Sequence, residues 1–207
     1  MDMHSMICFL GASILLTLAP GPDNIFVVTQ GISRGRKAAV FTALGMCSGL
    51  SVHTTAAALG ISAIFYSSAL AFCAVKYAGA AYLMYLAWKA IQDRNALKLK
   101  SSVNPLSCFA LFRRGFIMNT LNPKVALFFL AFLPQFVSGN SQDVALEMIF
   151  LGLIFMVQSV VIFTAIGVLS GQIGNYLLKK PRLARKFSLA TAGIFAAIGV
   201  RLALAER

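Results

Sequence analysis

The chain has 207 residues, 59% of them hydrophobic and 12% charged, with a mean hydropathy of +0.82. A soluble domain of this length is not built that way, so an integral membrane protein is expected. The net charge of +12 does not point to nucleic acid, because the basic residues fall between apolar runs, where they set topology.

The first apolar run, residues 6–33, follows an N-terminus without Lys or Arg and passes no small-residue cleavage site, so it reads as a retained span and not a signal peptide. It contains Thr17-Leu18-Ala19-Pro20-Gly21-Pro22-Asp23-Asn24. Pro20 and Pro22 lack an N–H and Gly21 tolerates almost any dihedral, so a helix entering at Leu18 must stop and restart near Pro22. Asp23 and Asn24 then stand beside the free N–H groups of the restarted helix. Arg34, Arg36 and Lys37 follow, then a second span over about 38–63, an uncharged turn at Tyr66-Ser67-Ser68, and a third span over about 69–90. A polar stretch with Arg94, Lys98 and Lys100 leads to a fourth span, expected after Arg113 and Arg114 and running to about residue 137 with an interruption at Asn122-Pro123-Lys124. A second uncharged turn, 138–142, opens a fifth span that extends to about residue 176. Lys179, Lys180, Arg182, Arg185 and Lys186 mark a basic loop with Pro181, and the sixth span fills about 187–204.

Lys and Arg sit in the first, third and fifth connections and are absent from the second and fourth, which places the odd connections in the cytoplasm and both termini outside. Thr17-Leu18-Ala19-Pro20 reappears as Thr120-Leu121-Asn122-Pro123, 103 residues later. Each tetrad breaks the first helix of a three-span half, and because three is odd the second half must be inverted. The expectation is an all-α integral membrane protein forming a single transmembrane domain over 1–207. Six helices form two inverted halves (about 6–90 and 108–204) joined by a cytoplasmic linker at about 92–105, with helices one and four broken at proline. In secondary transporters the site forms at such breaks.

Restarted helices offer N–H groups and a positive dipole end to a carboxylate. Asp23 and Lys124 add opposite charges, so a zwitterionic amino acid suits the pair. Against this stand the readings that Asp23 and Asn122 only cap helices and that Lys124 reaches for the interface. Gly45, Gly49 and His53 share a face of span two; the glycines read as packing residues, while His53 is open between proton relay with Asp23 and packing. Gln30 shares Asp23's face, and Gln135, Gln158 and Ser159 add polar groups in other spans. Lys76 reads as snorkelling outward, with pairing to an acid as the other reading, Tyr82, Tyr85 and Trp88 as an interfacial anchor, and Phe128, Phe129, Phe132 and Phe136 as facing lipid, with the lining of an apolar pocket as the other reading. Cys8, Cys47, Cys73 and Cys108 stand singly, so neither a disulfide framework nor a metal site is expected, and no acid-His-Ser arrangement points to an enzyme.

Leu18-Ala-Pro-Gly-Pro-Asp23, Gly45-x3-Gly49-x3-His53, Gly79-Ala-Ala-Tyr82-Leu, and Asn122-Pro-Lys-Val-Ala-Leu-Phe-Phe129 through Leu133-Pro-Gln-Phe136 resemble the LysE/RhtB amino-acid exporters along nearly the whole chain. The resemblance implies a bacterial inner-membrane exporter of small amino acids or their derivatives, driven by the proton gradient and closer to the threonine, homoserine and leucine branch. It implies no cofactor; the partners are the amino acid, protons and lipid, with a homo-oligomer left open. Asp23 would bind the substrate amine or the coupled proton, and Asn24, Asn122 and nearby N–H groups the carboxylate. Two other classes remain: a membrane redox or metal-handling protein of the wider superfamily, and a membrane subunit that transports nothing.

Overall fold

The computed structural model describes residues 3–19, 21–61, 69–92, 106–137, 144–172 and 181–204, and every described element is helical. Helices α1 (Met3–Leu18) and α2 (Pro22–Arg34) form the first broken segment, and α3 (Arg36–Ala56) continues as a wider helical turn over Ala57–Ile61. After α4 (Ala69–Gln92), the second broken segment comprises α5 (Cys108–Thr120) and α6 (Pro123–Leu127). The chain then runs on through a wide turn at Phe128–Phe132 and a tight one at Leu133–Phe136. Helices α7 (Val144–Val168) and α8 (Pro181–Leu204) complete the fold. Residues 62–68, 93–105, 138–143 and 173–180, where connections are expected, and Pro20 lie outside the described residues.

Both interruptions fall where proline removes a donor. Gly21 is extended (φ −163°, ψ −177°) ahead of Pro22, and Asn122 is extended (φ −81°, ψ 108°) ahead of Pro123. The axes bend by 53° at the first break and 48° at the second. Gly35, at φ +87°, turns the chain from α2 into α3, a conformation that a side chain would strain.

The first helix of each broken segment packs on another long helix, α1 on α7 and α5 on α3, while α3 meets α7 and α4 meets α8. Gly45 and Gly115 bring α3 and α5 together: a Cβ on Gly45 would overlap the Phe112 carbonyl, and one on Gly115 the Thr42 carbonyl. This is the packing role expected of the small residues on span two.

Two boundaries differ from the sequence expectation. Ser107 caps α5 by accepting from Ala110 N at 3.2 Å, so the helix begins at Cys108 and Arg113 and Arg114 lie within it, exposed, rather than ahead of it. Pro181 opens α8, since a first-turn residue needs no N–H, and Arg182, Arg185 and Lys186 therefore belong to a helix and not a loop. Helix α7 runs to Val168 and helical residues resume at 170–172 after a turn residue at Leu169, while residues 173–176 of the expected fifth span lie outside the described residues.

Phe128, Phe129, Phe132 and Phe136 are all buried rather than lipid-facing. They fall on one face of the wound segment and meet Phe9 and Phe155, with Phe128 5.1 Å from Phe155 and Phe9 5.3 Å from Phe136 between ring centroids. Such distances suit tilted and edge-on aromatic pairs. Leu146, Phe150, Leu153, Val157 and Val161 expose an apolar stripe along α7 at helical spacing. Among the described residues α7 is the one continuous helix long and apolar enough to cross a bilayer, and the two bent pairs bring the number to three if each is one crossing. Tyr82, Tyr85 and Trp88 form a ladder with centroids 5.8 and 6.0 Å apart, Tyr85 and Trp88 exposed. Lys76 is instead buried, its Nζ 4.6 Å from the Tyr77 ring.

Candidate functional site

The two breaks meet. Asn122 donates from Nδ2 to Asp23 Oδ2 at 2.7 Å, and its Oδ1 accepts the Lys124 N–H at 3.0 Å. One side chain thus caps the restarted helix α6 and reaches across 99 residues of sequence to the other break. A hydrogen bond to a carboxylate is short and stronger than one between neutral groups. The Lys124 side chain crosses in the same direction, donating from Nζ to Ala19 O at 3.2 Å. It is buried and does not reach for the interface, and Asp23 is 2% exposed.

Asn24 closes the other side of the first break. Its Nδ2 faces the carbonyls of Thr17, Leu18 and Ala19 at 3.1, 3.1 and 3.2 Å, which the end of α1 leaves without intrahelical partners. Asp23 makes no capping bond to its own helix, whose start at Gly21 has no side-chain cap. His53 donates from Nε2 to Asn119 O at 3.0 Å, a carbonyl that also accepts from Asn122 N at 2.9 Å. His53 therefore supports the second break from α3, with its ring 5.9 Å from Phe129.

Several buried acceptors around the breaks have no partner among the described residues: Asp23 Oδ1, Asn24 Oδ1, Asn119 Oδ1 and Thr120 Oγ1. A buried acceptor without a donor is costly, so this group is suited to a ligand rich in N–H, such as an ammonium. The first-turn N–H groups of α2 supply the complementary surface for a carboxylate.

Of the residues singled out from sequence, Gly21, Pro22, Asp23, Asn24, Asn122, Pro123 and Lys124 are brought together, and His53 joins them through Asn119. Pro20 lies outside the described residues. Gln30 is buried about 10 Å further along α2 at 1.5 Å per residue, and Gln135 bonds Ala131 O of its own segment at 3.1 Å. Residues that sequence reasoning passed over are Thr17, Asn119 and Thr120. Thr17 Oγ1 accepts from Gln158 Nε2 at 2.9 Å, tying the first break to α7. For Thr17 and Thr120 the signal was present, since they head the two repeated tetrads, while Asn119 lies outside them.

A helical membrane protein with two interrupted helices joined at a buried carboxylate is the class that fold and site define. The LysE type translocator family model matches residues 14–206, and the chain belongs to that family. It is 32% identical over 198 residues to a homoserine/homoserine lactone efflux protein of Salmonella typhimurium, covering 96% of this chain and 95% of the relative. It is 27% identical over 197 residues to a leucine efflux protein of Salmonella choleraesuis, covering 94% and 92%. An uncharacterized membrane protein of Vibrio cholerae is 29% identical over 206 residues, the full length of both chains. No solved structure matches it.

Proposed function

We propose that this translocator exports a small amino acid or derivative from the bacterial cytoplasm, across the inner membrane, at a site between the two breaks. Six spans in two inverted halves, both termini outside, and coupling to the proton gradient complete the reading. The observation that carries it is the 2.7 Å bond from Asn122 to Asp23, which joins the two breaks at a buried, half-satisfied carboxylate. The packing of each broken segment on another long helix and the names of the efflux relatives support it. The substrate ammonium replaces the Asn122 amide at Asp23, its carboxylate faces the first turn of α2, and rocking of the halves exposes the site to each side in turn.

Asp23→Asn keeps the shape of the side chain and removes its charge. Efflux of L-homoserine and L-leucine from loaded cells should disappear while the amount of protein in the membrane is unchanged. Normal efflux by that variant would remove Asp23 from the mechanism.

A further inference from the structure

A second polar site lies at the far end of α2. Asp23, Gln30 and Arg34 are seven and four residues apart, so they fall within roughly 20° of one line along the helix. Gln30 is 8% exposed, with its Oε1 unpartnered among the described residues, and the same holds for a shielded Arg34 Nη1. Ser170, which follows α7, is fully buried and its hydroxyl also has no partner there. Ser170 rests directly on Gly31, where a Cβ would overlap its hydroxyl, and Gly31 sits one turn before Arg34 on the same face. Gly167 packs against Ala39 and Val27, so α7 seals this end of α2 against α3.

Gln30 Oε1, Arg34 Nη1 and Ser170 Oγ are three shielded atoms within about one turn of the end of α2, all short of partners among the described residues, and such atoms are costly unless something completes them. No described carboxylate does so. Asp23 is eleven residues away, and Glu147 lies at the opposite end of α7, 23 residues before Ser170 and roughly 34 Å along the axis. A guanidinium with a hydroxyl beside it presents donors in the geometry of a carboxylate, and the Gln30 oxygen adds an acceptor for an ammonium.

We propose that Gln30, Arg34 and Ser170 form a loading station that takes the substrate's carboxylate at the cytoplasmic end of α2 before it passes to Asp23. The inference rests on the exporter reading. About 16 Å of helix separate Arg34 from Asp23, more than a small amino acid spans, so the two sites are occupied in succession and not together. The shared face of α2 is the path between them.

The test is uptake into everted membrane vesicles, whose cytoplasmic face is outward, of L-homoserine and of L-homoserine lactone, which has no free carboxylate. Arg34→Gln should raise KM for homoserine about tenfold with kcat within about twofold, a charge-assisted bond being lost. KM for the lactone should stay put, Arg34→Lys should recover part of the loss, and Ser170→Ala should show a smaller change of the same kind. An unchanged homoserine KM overturns the station, as does a rise shared by the lactone, which marks a structural role. A wild-type requirement for phosphatidylglycerol that Arg34→Gln abolishes, with KM unmoved, assigns the arginine to lipid headgroups and also overturns it. If Asp23→Asn is inactive while Arg34→Gln is normal, the exporter reading stands and the station falls. If the wild-type chain transports neither compound, both fall.

Discussion

His53 is held by one bond, from Nε2 to the Asn119 carbonyl, and a ring fixed in that tautomer has only Nδ1 left to exchange a proton. That bond makes His53 a support of the second break, and a relay would have to run through Nδ1 alone. Glutamine carries an N–H to similar reach and does not titrate, so His53→Gln should keep at least about half of the efflux, while His53→Leu, which leaves the carbonyl short of a donor, should lose most of it. Efflux measured at matched protein levels decides the matter. Failure of the glutamine variant would return His53 to the proton path. A single sequence left these roles balanced because burial and a hydrogen-bond partner, not residue type, distinguish them. Lys124 shows the same limit. Snorkelling and reaching inward need the same flexible stem, and only the position of Ala19 O decides between them.

Between elements, the two breaks bend by similar angles but are closed differently. Asn122 caps α6 from the residue before its proline, whereas α2 starts bare and Asn24 reaches back to α1. Both interruptions are legible in the sequence because proline acts locally, through a missing N–H and a fixed φ. The buried phenylalanine face is not, because hydropathy gives the same value to a ring against lipid and a ring against Phe155. The glycine contacts lie between these cases: spacing gives the shared face, and only the fold gives the partner. Gly45 touches the Phe112 backbone, which cannot yield as a side chain would, so Gly45→Ala should destabilise the protein by about 1–3 kcal/mol. Gly193, exposed with nothing within 4 Å, is the matched control, and Gly193→Ala should be silent in the same thermal unfolding experiment in detergent.

For the whole molecule, the distribution of Lys and Arg predicts an orientation that packing does not report, since a bundle is equally well packed either way up. A chain with Cys8, Cys47, Cys73 and Cys108 replaced by Ser and a single Ser141→Cys should react with a membrane-impermeant maleimide added outside intact cells. Labelling only after the inner face is exposed would reverse the topology. Full export by the cysteine-free parent would at once dispose of a thiol-based activity. At the joint between the breaks, Asn24 has two amide hydrogens for the three carbonyls it faces, and Lys124 brings the third donor from the second break, just as Asn122 brings the partner of Asp23. Parting the two breaks would therefore strand the Asp23 carboxylate, the Lys124 side chain and the Ala19 carbonyl together, each buried and short of its partner, so the joint resists separation more than any one of its bonds would alone.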